Sequence, residues 1–110
     1  MVAPSVGSIV LVQFPFSDLS SSKVRPAVVL AEDFRDDWIL CQITSKSYSD
    51  IRAIEITETD FISGSIMRTS YARPGKLFSA NAAIIKRIAG KLSNGKIAEI
   101  IDTVITIFRP

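Results

Sequence analysis

Pro26 limits what this chain can fold into more than any other residue. It fixes its own φ and pushes Arg25 towards extended backbone. The run behind it, Ala27-Val28-Val29-Leu30, is apolar and rich in β-branched residues, the pattern of a fully buried strand. Arg25 is therefore expected at the mouth of that strand, its position set by a stiff backbone. Before it, Pro15 to Lys23 reads as a loop, with proline, aspartate and three serines as breakers. A charged group anchored to rigid structure beside a polar loop is how binding and catalytic sites are commonly built.

Similar short runs recur on both sides. Gly7 to Phe14 predicts a first strand, Arg25 to Glu32 a second, and Trp38 to Ile43 a third after a turn at Asp36-Asp37. Thr44 to Asp50 is a second polar loop. Ile51 to Ile56 is expected as strand four, with a turn near Thr59-Asp60-Phe61 closed by Gly64. Ser65 to Ala72 is expected as strand five. Pro74-Gly75 signals a turn before a short strand, Lys76 to Ser79, and Ile84 to Ala89 would be the last strand, ended by Gly90. From Ser93 the period changes. Ile97, Ile100, Ile101, Val104 and Phe108 fall on one face of a helix with Ser93 as its cap. Short strands, turns and a single helix make a mainly β fold, a small closed or half-closed barrel with a C-terminal helix, in one domain spanning residues 1–110.

Several function classes fall away at once. The apolar runs are a handful of residues long, far short of the ~20 a membrane helix needs. No basic and apolar leader opens the chain, so a soluble cytoplasmic protein is expected, with no membrane partner. Cys41 stands alone in a strand pattern and reads as a buried structural thiol. There is no histidine. That removes the commonest general base and metal ligand, and with them Ser-His-Asp, Cys-His and ordinary zinc hydrolases. The net charge of +2 conceals a segregation. Residues 31–60 carry eight acids against three bases, and residues 61–98 carry seven bases (Arg68, Arg73, Lys76, Lys86, Arg87, Lys91, Lys96) and no acid. Such a block either attracts a polyanion or pairs with the acidic half.

If strands two and three form a hairpin, Arg25 begins one where Thr44 ends the other. Both then lie at the same end, with Ser45 adjacent. A guanidinium forks onto phosphate oxygens and a threonine adds a further donor, so this pair suits a phosphodiester. Phe16 and Tyr48, in the two loops, are candidate stacking platforms for single-stranded nucleic acid. Trp38 lies in a strand pattern and is expected in the core.

These residues carry a resemblance. Gly7-Ser8-Ile9-Val10, Phe14 to Asp18, Lys23 to Leu30, Gln42-Ile43-Thr44-Ser45, Ser70 to Ser79 and Gly90-Lys91-Leu92 occur in an order that resembles the MazF/PemK family, toxins of type II toxin–antitoxin modules. The resemblance implies an SH3-like β-barrel with a C-terminal helix, a homodimer, and metal-independent, cofactor-free cleavage of single-stranded RNA at specific sequences. It implies catalysis by Arg25 and Thr44. It further implies RNA contacts from Phe16, Ser17, Lys23, Ser45, Arg73, Lys76 and Ser79, and inhibition by a cognate antitoxin. Ser8 departs from the acid usual after the first glycine, and Gln13 stands where other residues are commoner. An arginine is a poor general base, and Asp18, or a water held by Ser45, is the candidate proton acceptor. The alternatives are a non-catalytic protein-binding toxin of the gyrase-poison type on the same fold, or an inactive solitary member.

Overall fold

The computed structural model describes residues 3–15 and 22–110. Seven strands, β1 (Ser8–Pro15), β2 (Ser22–Glu32), β3 (Asp37–Thr44), β4 (Ile54–Ile56), β5 (Phe61–Gly64), β6 (Ser70–Asn81) and β7 (Ile85–Leu92), precede one helix, α1 (Asn94–Phe108). They form one sheet in the order β4-β6-β3-β2-β1-β7-β5, and every pairing is antiparallel. The fold is a curled half-barrel with a C-terminal helix, as the short runs and the resemblance lead one to expect.

Strand alternation divides the buried residues into two clusters. Ile9, Val28, Cys41, Ile43, Ile54, Ile56, Ala72 and Leu92 pack with Ile97 and Ile100 of α1. Val10, Val12, Ala27, Val29, Leu40 and Ala80 form the other cluster with Trp38, Ala82 and Ile85. Adjacent residues of β2 thus feed different cores, which is why Ala27-Val28-Val29-Leu30 is apolar throughout. Trp38 and Cys41 are both buried, as expected.

The β2–β3 hairpin is set by its turn. Asp37 N–H donates to Phe34 O at 3.2 Å, around Arg35 and Asp36 at φ 53° and 66°, which is the primed geometry that matches strand twist. From β6, Asn81 Nδ2 donates to Arg35 O at 3.3 Å and to Asp37 Oδ1 at 2.9 Å. At the other end of the chain, Ser93 Oγ accepts from Lys96 N–H at 3.3 Å and caps α1. Ile97 and Ile100 are buried and Ile101 and Val104 half-buried, but Phe108 at the stripe's end is exposed. Among the described residues, no helix is long and apolar enough to cross a membrane.

Five boundaries correct the sequence reading. β1 runs on to Pro15 and β2 begins at Ser22, so Arg25 lies inside a strand paired with Val12 and not at its mouth. β4 begins at Ile54, and Ile51 is fully exposed. The turn expected near Thr59-Asp60 is present as a single 3-10 turn over Glu58–Asp60, but Phe61–Gly64 forms a strand, and residues 65–69 form none. β7 continues through Gly90 to Leu92. Most consequentially, Pro74-Gly75 does not reverse the chain. β6 is continuous over twelve residues, and its register against β3 jumps from Cys41↔Leu77 to Ile43↔Ala72. Residues 73–76 bulge out opposite Gln42 alone. Pro74 is buried in that bulge, and Cys41 Sγ donates to the displaced Arg73 carbonyl at 3.3 Å.

Candidate functional site

The site arises where two strands part. The β2–β3 ladder ends at Ala27↔Gln42. Beyond that rung β2 stays paired with β1 as far as Ser22, and β3 stays paired with β6 as far as Thr44↔Tyr71. Pro26 stands at the parting, and having no N–H it has no donor to extend the ladder. Carrying the register on by two residues sets Arg25 across from Thr44.

A groove of about 480 Å³ fills the gap. Val24, Arg25 and Pro26 form one bank and Ile43, Thr44 and Ser45 the other, so consecutive residues of both strands face it. Its remaining wall includes Arg68, Ser70 and Arg87. Arg25 is half-buried, with its Nε covered. Thr44 is 6% exposed, and its Oγ1 accepts the Lys46 backbone N–H at 3.3 Å. That bond uses a lone pair of the oxygen and leaves the hydroxyl proton to donate elsewhere.

The expected site residues do not all gather here. Arg25, Thr44 and Ser45 come together. Phe16, Ser17 and Asp18 lie outside the described residues, as does the side chain of Lys23. Arg73 and Lys76 line a separate depression of about 380 Å³ with Ser49, Asp50 and Arg52. There Arg73 Nε donates to Asp50 Oδ2 at 3.1 Å. Ser79 is exposed opposite Ile39, five residues along β3 from Thr44 and so roughly 17 Å away. It is not part of the groove.

Sequence reasoning passed over Arg68 and Arg87 as individual residues, counting them only in the basic block. The pairing of that block with the acidic half holds in part. Arg73 pairs with Asp50, and Lys96 reaches Glu99 at 3.0 Å and Asp60 at 3.8 Å. Arg68 and Arg87 are exposed, make no ion pair among the described residues, and line the groove. The cross-strand pair Leu11↔Arg87 is what carries Arg87 there. Nothing short of the β1–β7 register would have found it.

Two titrations follow from the surroundings. Burial pushes the Cys41 thiol up to about 12, so it is an inert packing group. The Arg52 backbone N–H, and then Arg73, hold the Asp50 carboxyl below its ordinary value.

Comparison with known proteins identifies the pattern. Residues 5–108 match the family model described as PemK-like, MazF-like toxin of type II toxin–antitoxin system. No curated protein matches the chain. Among solved structures, MazE–MazF from Deinococcus radiodurans superposes with a TM-score of 0.77 at 13% identity, covering 96% of both chains. The Mycobacterium tuberculosis toxin MazF-mt6 gives 0.71 at 13% identity over 93% of this chain and 96% of its own. A mycobacterial endoribonuclease in complex with its cognate antitoxin gives 0.71 at 14% identity over 97% and 94%. At such identities the likeness establishes the half-barrel and its helix.

Proposed function

Because the chain belongs to the PemK-like, MazF-like family of type II toxin–antitoxin toxins, we propose that it is an endoribonuclease that cleaves single-stranded RNA without a metal ion. In this reading it is a one-domain cytoplasmic toxin acting as a homodimer, silenced by a cognate antitoxin. The observation that carries the reading is the position of Arg25 and Thr44 on opposite banks of one groove, with Arg68 and Arg87 on its wall.

The chemistry asked of these residues is modest because the nucleophile belongs to the substrate. The ribose 2′-oxygen attacks the adjacent phosphorus and forms a bond to it as the bond to the 5′-oxygen breaks. The products are a 2′,3′-cyclic phosphate and a 5′-hydroxyl. The protein must hold the in-line arrangement and stabilise charge that builds on the non-bridging oxygens. Arg25 offers a forked donor for that charge, positioned by the β1–β2 ladder. Thr44, whose oxygen is already held by the Lys46 N–H, donates its proton to the same oxygens. The proton released by the 2′-hydroxyl requires an acceptor, for which Asp18 is proposed, and the departing 5′-oxygen takes its proton from water. DNA lacks the 2′-hydroxyl and would be inert. The family's antitoxin would compete for the same groove, where an acidic extended segment meets three arginines.

The test is cleavage of a long single-stranded RNA in excess EDTA, with both new ends mapped. Recurrent cuts at one short sequence, reduced by about two orders of magnitude or more in Arg25→Ala and Thr44→Ala, support the nuclease. Intact RNA together with inhibition of DNA gyrase would replace it with the protein-binding reading.

A further inference from the structure

Tyr48 occupies a backbone position that its side chain does not favour. Asp50 N–H donates to Ser47 O at 2.9 Å, closing a turn whose two central residues, Tyr48 and Ser49, have φ of 55° and 60°. Residues without a glycine's freedom pay for the left-handed region, and asparagine or glycine would fit this turn better. The turn leaves Tyr48 62% exposed. The Arg73 guanidinium lies over that ring, 5.4 Å from its centroid, and is itself fixed by the Asp50 carboxylate at 3.1 Å. The exposed tyrosine is thus backed by a cation over its ring.

Its location adds a second observation. Ser45 lines the Arg25–Thr44 groove, and three residues later, at most about 11 Å of chain, stands Tyr48. Beyond it lies the 380 Å³ depression, where Arg52, Arg73 and Lys76 converge. Arg73 belongs to both features. Ser45 of the groove, the Tyr48 ring and residues 49–52 of the depression follow one another along the chain, and single-stranded nucleic acid is bound by such combinations of cations and stacking surfaces.

We propose that Tyr48 is the stacking platform of a second nucleotide subsite, taking a base next to the cleaved linkage, while Arg52 and Lys76 hold that nucleotide's phosphate. The subsite rests on the nuclease reading and specifies how the same RNA is positioned beyond the reacting atoms. Tyr48 is a positioning residue. It touches a neighbouring base and leaves the Arg25–Thr44 chemistry as it is.

Two variants separate ring from fold. Tyr48→Asn suits the left-handed backbone and removes the ring, and Tyr48→Phe keeps the ring without its hydroxyl. Fluorescence anisotropy with a short random-sequence single-stranded RNA pool gives binding without requiring cleavage. Tyr48→Asn is expected to weaken it roughly ten- to a hundredfold with unchanged circular dichroism, and Tyr48→Phe to restore it. Cleavage of an RNA carrying the mapped site then locates the subsite. In Tyr48→Asn the loss falls in KM, and an abasic nucleotide at one position beside the cut erases the difference from wild type. Wild-type affinity in Tyr48→Asn, or a loss that no abasic position erases, overturns the subsite while leaving the nuclease standing. Loss of antitoxin binding with unchanged RNA binding would reassign the ring to the protein partner. A wild-type protein that neither binds nor cuts RNA overturns both.

Discussion

Arg25 and Thr44 stand across from one another where β2 and β3 cease to pair, two residues past the Ala27↔Gln42 rung. Each remains tied to its outer neighbour, Arg25 through Val12 on β1 and Thr44 through Tyr71 on β6. The gap between them is consequently held open from both sides. The groove is a property of the sheet's pairing.

The Thr44 hydroxyl is oriented by the bond it accepts from the Lys46 N–H, and the hydroxyl is what the proposed chemistry uses. Thr44→Ser should retain most cleavage. Thr44→Val, of nearly the same shape, should lose about a hundredfold or more in kcat. Equal activity in Thr44→Val and wild type would remove Thr44 from the reaction.

Arg68 and Arg87 line the groove without ion-pair partners among the described residues. Each should therefore contribute a phosphate contact. Arg87→Ala and Arg68→Ala are expected to weaken RNA binding at low salt and to lower the slope of log affinity against log salt by ~0.7 apiece. Titrations at several salt concentrations measure this directly, and an unchanged slope would place both side chains away from the bound RNA.

Gly90 sits in β7 where β5 passes close by, paired with Gly64. A methyl group there would lie 2.7 Å from Ser63 O and 2.9 Å from the Phe61 ring, both fixed by the sheet. Gly90→Ala should cost about 1–3 kcal/mol in urea unfolding, with an unchanged m-value. Gly95, with open space around its α-carbon, serves as the control position in α1.

Asp50 gives a pH dependence whose sign is fixed. Its folded-state pKa is depressed by the Arg52 N–H and by Arg73. Its contribution to stability is therefore present above the unfolded value near 4 and lost as pH falls through the lower folded value. Asp50→Asn should lower the urea midpoint at pH 7, and the gap from wild type should close as pH falls through the depressed folded value. A gap that persists in acid would mean that the carboxylate's charge is not what holds the loop.

Much of this molecule is decided by local chemistry. Pro26 and the run behind it make a strand, Ser93 caps a helix, and Cys41 and Trp38 fall in the core because period and polarity leave them nowhere else. That Arg25 and Thr44 share one end of the hairpin follows from counting outward from its turn, while the register shift between Val29 and Ala31 is what sets them directly across. Pro74-Gly75 shows where such reasoning ends. Its turn chemistry is real and it does deflect the chain, but β3 keeps hydrogen-bonding on both sides of the deflection, so a reversal becomes a bulge. The same holds for the basic block. Which arginines reach the groove depends on the β1–β7 register and on where residues 65–69 run, and neither is written in the residues nearby. Propensity and periodicity act over a few positions along the chain, while register and the parting of strands are settled between segments distant in sequence. The tertiary structure therefore chose Arg68 and Arg87 for the groove and paired Arg73 with Asp50.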